Sequence, residues 1–281
     1  MHRFFLPAEC IQQGTVSFPA PCAHQLRNVL RLRPGDRVEV ADNSGWVFVV
    51  EITALSSDAA EGAVKKKALG ETEPRTKITV YQGLLKADKY EYVLQKCTEL
   101  GAAAFVPVVC DRSIVANVQS LSNSRLMGKV TRWRDVVREA AEQSRRAKLP
   151  QVREPVLFRH ACEAAKGMAL LLSENERQRN LREVLHAAFS PPGAPQGDPS
   201  ADYETGERLP LRKLPQREGP AQRPFSVSLF IGPEGGLSPE ELVTGQRMGL
   251  IPVGLGPRIL RAETAAIVGT SIVLYEWGDL G

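Results

Sequence analysis

Two glycine-rich turns near the C-terminal end hold the residues best suited to chemistry: Gly232-Pro233-Glu234-Gly235-Gly236-Leu237 and Gly254-Leu255-Gly256-Pro257-Arg258-Ile259-Leu260-Arg261. Glycine reaches positive φ or lets a ligand approach the main chain, while proline fixes φ and removes a donor. Each turn therefore reads as a backbone cradle for a small ligand, with carboxylates and guanidiniums at its margin. The first lacks the lysine and hydroxyl residue that follow the last glycine of a phosphate loop, and no G-x-G-x-x-G occurs in the chain. Nucleoside triphosphates and nicotinamide dinucleotides are thereby disfavoured as ligands.

The elements that must position these turns can be read beside them. Residues 226–231 form a β-rich apolar run of strand length, and Ser238 with Glu241 makes a capping box with Pro239 at the first helical position. The order is strand, glycine loop, helix. A short strand at about 251–255 precedes the second turn. Glu263 and Thr264 then open a last helix, whose uncharged run 265–275 reads as fully buried.

Upstream, strands are expected at 77–81, 104–109 and 168–173, and helices at 88–100, closed by Gly101, and 124–146. This alternation predicts an α/β domain with a parallel sheet covered on both faces. A third loop, Leu172-Ser173-Glu174, then leaves the same sheet edge as the two glycine turns. The first seventy residues differ: short β-like runs at 3–6, 37–40 and 46–52, with a helical candidate at 24–32, suggest a small β-barrel. The boundary falls at the polar stretch 70–76, giving domains 1–73 and 74–281, with a proline-rich flexible insertion at about 190–224.

Composition excludes several classes. A chain of 281 residues with 43% hydrophobic content can bury a large core. Five cysteines without a C-x-x-C pair and four histidines without ligand spacing predict reduced thiols and no metal. No stretch reaches the ~18 apolar residues of a membrane span, and no signal peptide is evident, so a cytoplasmic protein is expected. Net charge is only +4, but residues 125–153 carry nine basic side chains against three acidic, a local excess suited to phosphate.

Together with Met1-His-Arg-Phe-Phe-Leu-Pro7, Lys86-Ala-Asp-Lys-Tyr-Glu91, Glu99-Leu-Gly101 and Glu142-Gln-Ser-Arg-Arg146, the two turns make the chain resemble the RsmE family over nearly its full length. The resemblance implies a C-terminal SPOUT domain with a trefoil knot and an N-terminal PUA-like β-barrel. It implies S-adenosyl-L-methionine-dependent methylation of N3 of one uridine in small-subunit (16S) ribosomal RNA, by a homodimer acting on that RNA or on the small ribosomal subunit. By resemblance, Leu172, Glu174, Gly232, Glu234, Gly236, Leu255, Gly256, Leu260 and Thr264 would hold the cofactor. Arg3, His24, Arg27, Arg31 and Arg258 would contact RNA, and Arg146 and Arg261 would serve catalysis. The family's Glu-Gln-x-Gly-Arg pattern appears here with Arg145 in place of glycine, and Arg146 is favoured as the arginine entering the site. Two rivals stay open: a non-catalytic RNA-binding ribosome-assembly protein, and a SPOUT methyltransferase acting on another RNA.

Overall fold

A computed structural model describes residues 1–113, 124–188 and 225–280. The expected insertion at about 190–224 lies outside these residues. Two sheets organise the chain. The N-terminal one comprises β1 (Arg3–Phe5), β2 (Ile11–Gln12), β3 (Thr15–Phe18), β4 (Arg37–Ala41), β5 (Trp46–Leu55) and β6 (Ala60–Leu69), in the order β1-β4-β5-β6-β3-β2. Register shifts at Val49/Val50 and Ile52/Ala54 mark irregularities in β5 of the kind that bend a strand. Phe4, Val16, Phe18, Val38, Val50 and Ile52 then share one core. The expected helix at 24–32 begins earlier, as α1 (Ala20–His24), and continues as one π-helical turn, Gln25–Val29, contributing Ala23 and Leu26 to that core.

The second sheet is wholly parallel. Its elements are β7 (Lys77–Gly83), α2 (Ala87–Leu100), β8 (Ala104–Val109), α3 (Ser124–Gln143), β9 (Gln151–Val152), β10 (Val156–Leu157), α4 (Phe158–Glu163), β11 (Met168–Leu172), α5 (Leu181–Ala187), β12 (Ser226–Ile231), α6 (Pro239–Arg247), β13 (Ile251–Val253) and α7 (Ala262–Glu276). Strand order is β10-β8-β7-β12-β11-β13, with β9 also on β8. Alternating side chains build two cores. Ile78, Val80, Val227 and Leu229 face α2, α3, α5 and α7, while Tyr81 and Phe230 stack at 4.3 Å on the side of α4 and α6. Both faces of the sheet are covered, as the alternation predicts.

The uncharged run in α7 departs from the expectation of full burial. Ala266, Gly269, Thr270, Val273 and Leu274 are buried, whereas Ala265, Ile267, Val268 and Ile272 are half-buried and Tyr275 is 68% exposed. One side of the helix packs on the sheet and the other faces outward.

The two halves meet along the C-terminal part of α3. Phe5, Ala41 and Ala141 form a small apolar contact. Around it, the Phe5 amide donates to Glu142 Oε1 at 3.0 Å, Arg138 donates to the Phe5 carbonyl at 3.1 Å, and the Leu149 amide donates to Asn43 Oδ1 at 2.7 Å.

Candidate active site

Three neighbouring parallel strands, β12, β11 and β13, end at one edge of the sheet, so the loops that follow them converge. Such an edge is where open α/β sheets place ligands. The Ser173 amide donates to the Val253 carbonyl, the Gly254 amide to the Arg179 carbonyl and the Leu181 amide to the Gly254 carbonyl, at 3.0, 2.8 and 3.1 Å. These bonds sew the loop after β11 to the turn after β13. A Cβ at Gly254 would collide with the Glu176 carbonyl, so the close approach requires glycine there.

The loops enclose a cleft of about 570 Å³. Its apolar lining includes Leu172, Ile231, Leu237, Leu255, Leu260 and Ala265. Glu174, Glu234 and Glu263 bring carboxylates, and Lys89, Arg112, Arg258 and Arg261 bring cations. Lys89 Nζ lies 3.7 Å from Glu263 Oε1 and 3.9 Å from Glu234 Oε1, and the Lys86 amide donates to Glu234 Oε1 at 3.2 Å. Glu263 stands in the first turn of α7, where the helix dipole favours negative charge.

Of the residues singled out in the sequence, Leu172, Glu174, Gly232, Glu234, Gly236, Leu255, Gly256 and Leu260 all line this cleft, as do Arg258 and Arg261. Thr264 does not: it is exposed on the first turn of α7, outside the lining. His24, Arg27 and Arg31 are exposed on the barrel, open to a partner.

Two arginines lie elsewhere than expected. Arg146 is 3% exposed and absent from the cleft lining. Its guanidinium donates to Glu73 Oε2 at 2.7 Å and Oε1 at 3.3 Å, to the Thr98 carbonyl at 3.2 Å and to the Ala102 carbonyl. Nε, Nη1 and Nη2 all donate, joining the stretch before β7 to the end of α2 and the turn after α3, a structural arrangement away from the cleft. Burial by itself would raise the Glu73 carboxyl. The Arg146 hydrogen bonds and charge, with the Lys148 and Ala147 amides, outweigh it and hold the group below its ordinary value. Arg3 is likewise 8% exposed, paired with Glu39 at 2.9 Å and donating to the Arg145 carbonyl, which removes it from an RNA-facing surface.

The glycine expected at 145 has a backbone reason. Arg145 has φ +56, the left-handed region that costs an L-residue about 1 kcal/mol or more. Thr72 Oγ1, at 2.8 Å, and Arg3 both donate to its carbonyl and hold the turn.

Lys89 and Arg112 escaped the sequence reading as cleft residues. Arg112 follows β8, another parallel strand ending at this edge, and donates to the Gly235 carbonyl at 3.1 Å. Its neighbour Asp111 accepts from Ser238 Oγ at 2.6 Å and donates its amide to Glu241 Oε1 at 3.0 Å. Burial pushes the Glu241 carboxyl up, against the pull of the Ser238 and Asp111 amides that donate to it. The usable signal for Arg112 was topological: every loop leaving the C-terminal edge of the sheet is a lining candidate.

The chemistry of the lining suits a ligand with an apolar body, hydrogen-bonding hydroxyls and a cationic group. Glu263 Oε2 is buried without a hydrogen-bond partner, an acceptor awaiting a donor. At Gly256, φ +106, a Cβ would meet nothing within 4 Å, and at Gly236, φ +68, only Glu174 Oε1 at 3.7 Å. Both main-chain positions are thus open to close approach. S-Adenosyl-L-methionine, with its ribose hydroxyls, ammonium and sulfonium, fits this donor and acceptor set. Among the described residues no cluster of His, Cys, Asp and Glu could hold a metal ion, and no helix is long and apolar enough to cross a membrane.

Comparison with known proteins places this geometry. The family model described as RNA methyltransferase domain matches residues 71–196 and 201–274, and that of the RNA methyltransferase PUA domain matches residues 23–65. Ribosomal RNA small subunit methyltransferase E of Bacillus subtilis (strain 168) is 29% identical over 279 residues, spanning 98% of this chain and 97% of that protein. The protein of the same name from Synechocystis sp. is 31% identical over 270 residues, 95% of this chain and 75% of the other. The crystal structure of ribosomal RNA small subunit methyltransferase E from Neisseria gonorrhoeae bound to S-adenosyl methionine superposes with a TM-score of 0.76 at 26% identity, covering 98% and 97% of the two chains. Barrel, parallel sheet and looped edge occur in one order along nearly the whole length, and the chain belongs to the ribosomal RNA small subunit methyltransferase E family.

Proposed function

We propose that this chain methylates N3 of one uridine in small-subunit ribosomal RNA, with S-adenosyl-L-methionine as donor. The observation that carries this reading is the cleft itself: three adjacent loops, an apolar floor, an orphan buried carboxylate oxygen and cations at the margin. Bound there, the cofactor supplies a methyl group already attached to a positively charged leaving group. What remains for the protein is alignment, exclusion of water and charge.

Leu172, Leu255 and Leu260 shield the reacting atoms from water, and Gly232, Gly236 and Gly256 admit the ligand to main-chain groups. Glu174, Glu234 and Glu263 accept from hydroxyls and ammonium. Uracil N3 becomes a nucleophile only as its proton leaves to solvent water, before the methyl bond forms and the sulfonium departs as neutral thioether. Arg261 stabilises the negative charge that then spreads over the ring, and Arg258, on the exposed part of the same turn, holds a neighbouring phosphate. His24, Arg27 and Arg31 contact the RNA backbone from the barrel. In this reading the barrel comprises 1–73 and the methyltransferase domain 74–281. The bonds between the 173–180 loop and Gly254 support a C-terminal turn threaded as in a trefoil knot.

The outward side of α7, uncharged from Thr264 to Tyr275, supports a homodimer formed across that helix. Sedimentation should give twice the chain mass, and a stable, active monomer would remove the dimer from the reading. With ribosomal RNA as substrate, the protein works in the cytoplasm.

Two measurements test the function. Calorimetry should detect binding of S-adenosyl-L-methionine. Incubation with naked small-subunit RNA and, separately, with assembled subunits lacking the modification should create a reverse-transcription stop at one uridine, because a methyl on N3 blocks the Watson–Crick edge. No new stop in either sample overturns the reading.

A further inference from the structure

Three tryptophans occur in the chain, and only Trp46 is exposed. It is 39% accessible, against 4% for Trp133 and 1% for Trp277. Fully burying a large apolar side chain is worth about 1.5–3 kcal/mol, so an indole left partly in water at the start of a barrel strand forgoes part of that gain. Leu69, 63% exposed, is its direct cross-strand partner in the β5–β6 register, and Phe48 pairs with Lys67 two residues along. Side chains alternate across a strand, so Trp46, Phe48, Lys67 and Leu69 share one face. Phe48 is the last of these to reach the barrel core, and Trp46 with Leu69 extends that face into solvent.

Two lysines border this pair. Lys67 Nζ sits 4.5 Å from the Trp46 ring centroid and 5.4 Å from that of Phe48. Lys148, in the segment after α3, reaches the backbone of Gly45 next to Trp46, where its Cε would be 3.3 Å from an added Cβ. The nearby Asp42 carboxylate is turned to the Ser44 amide, at 3.0 Å. An aromatic and aliphatic surface bordered by lysines from both halves of the protein is the composition that binds single-stranded nucleic acid, with bases stacked on the ring and phosphates on the ammonium groups.

We propose that Trp46 and Leu69 form a stacking platform for one unpaired base of the RNA substrate, with Lys67 and Lys148 on the flanking phosphates. The inference rests on the ribosomal RNA reading above and adds to it a barrel contact outside the methyl-transfer cleft. A purely apolar partner surface would leave these lysines unpaired; an RNA strand matches both the ring and the charge. The platform bridges the two halves of the chain, because Lys148 belongs to the methyltransferase half and Trp46 to the barrel.

Tryptophan emission provides the test, since Trp46 is the exposed indole. Titration of the full-length protein with short single-stranded fragments of small-subunit RNA should quench the emission, and a perfect duplex of equal length should quench it less. Trp46→Phe should abolish the quench while binding, followed by anisotropy of labelled RNA, persists. Trp46→Ala should weaken binding on the order of tenfold. Lys67→Ala should reduce the slope of log affinity against log salt by about one. Circular dichroism establishes that each variant is folded, and S-adenosyl-L-methionine affinity should stay at the parent value. RNA binding unchanged in Trp46→Ala, with the reverse-transcription stop retained, overturns the platform and leaves the methyltransferase reading intact. A parent chain that binds neither the fragments nor assembled small subunits, and gives no reverse-transcription stop in either sample, overturns both.

Discussion

Replacing Arg146 with alanine separates a structural arginine from a catalytic one. The side chain of Arg146 is 4% exposed and that of Glu73 13%, and their closest contact is 2.7 Å. Removing the guanidinium leaves the Glu73 carboxylate buried without its counter-charge and takes a donor from the carbonyls of Thr98 and Ala102. Breaking a buried pair by deleting one partner costs about 3–5 kcal/mol, because the remaining charge stays desolvated. For a chain of this size that corresponds to a fall in Tm of roughly 6–20 °C. The double substitution Arg146→Met with Glu73→Gln removes both charges and should recover at least half of the loss. Urea denaturation followed by circular dichroism measures the stabilities. Calorimetry of S-adenosyl-L-methionine at a temperature where the variant remains folded should give an affinity near that of the parent, since Arg146 does not line the cleft. An Arg146→Ala protein that keeps its stability to within about 1 kcal/mol yet loses methyl transfer would refute the structural role.

Arg261→Ala should show the converse, with methyl transfer reduced by orders of magnitude and unfolding free energy within about 0.5 kcal/mol of the parent, as expected for an exposed residue; near-normal turnover would remove Arg261 from the chemistry. Gly254→Ala forces a methyl against the Glu176 carbonyl and should cost about 1–3 kcal/mol while weakening cofactor binding, read by calorimetry on the folded fraction. For Glu73, whose folded carboxyl lies below its ordinary value of 4.5, the linkage runs in one direction. The pairing contributes stability above that ordinary value, and the contribution is lost as pH falls through the lower folded value. The stability gap between the parent and Glu73→Gln should therefore close on acidification below about pH 4.5, and a gap independent of pH would contradict the pairing.

Much of the methyltransferase half was legible because its signals are local. Strands 104–109 and 226–231 coincide with β8 and β12, and Gly101, at φ +117, ends α2 as its position after the apolar stripe implies. The capping box of Ser238 and Glu241 is present with Pro239 at the helix start. A second box, Asn180 with Glu183, opens α5 and offered the same signal for a helix the sequence reading passed over. The barrel was harder to read. β6 carries Lys65, Lys66 and Lys67 and lacks a clean apolar alternation, since much of it faces water; it is a strand because β5 and β3 flank it. The half-exposed side of α7 was equally hidden, for an uncharged helix reads as buried whatever covers it.

By itself the sequence determined the two glycine turns and the strand–helix alternation of a parallel sheet, and the family resemblance pointed to most of the cleft lining; the strand order that brings the loops to one edge came from the fold. Which arginines reach that cleft was decided by tertiary structure alone. Arg3, Arg146, Arg258 and Arg261 carry the same guanidinium, and nothing in their local patterns separates them. The partner that withdraws Arg146 lies 73 residues away in sequence, and the carbonyl that engages Arg3 lies 142 away. A buried guanidinium must have its charge and donors satisfied, and the groups that satisfy them meet it only once the chain has folded.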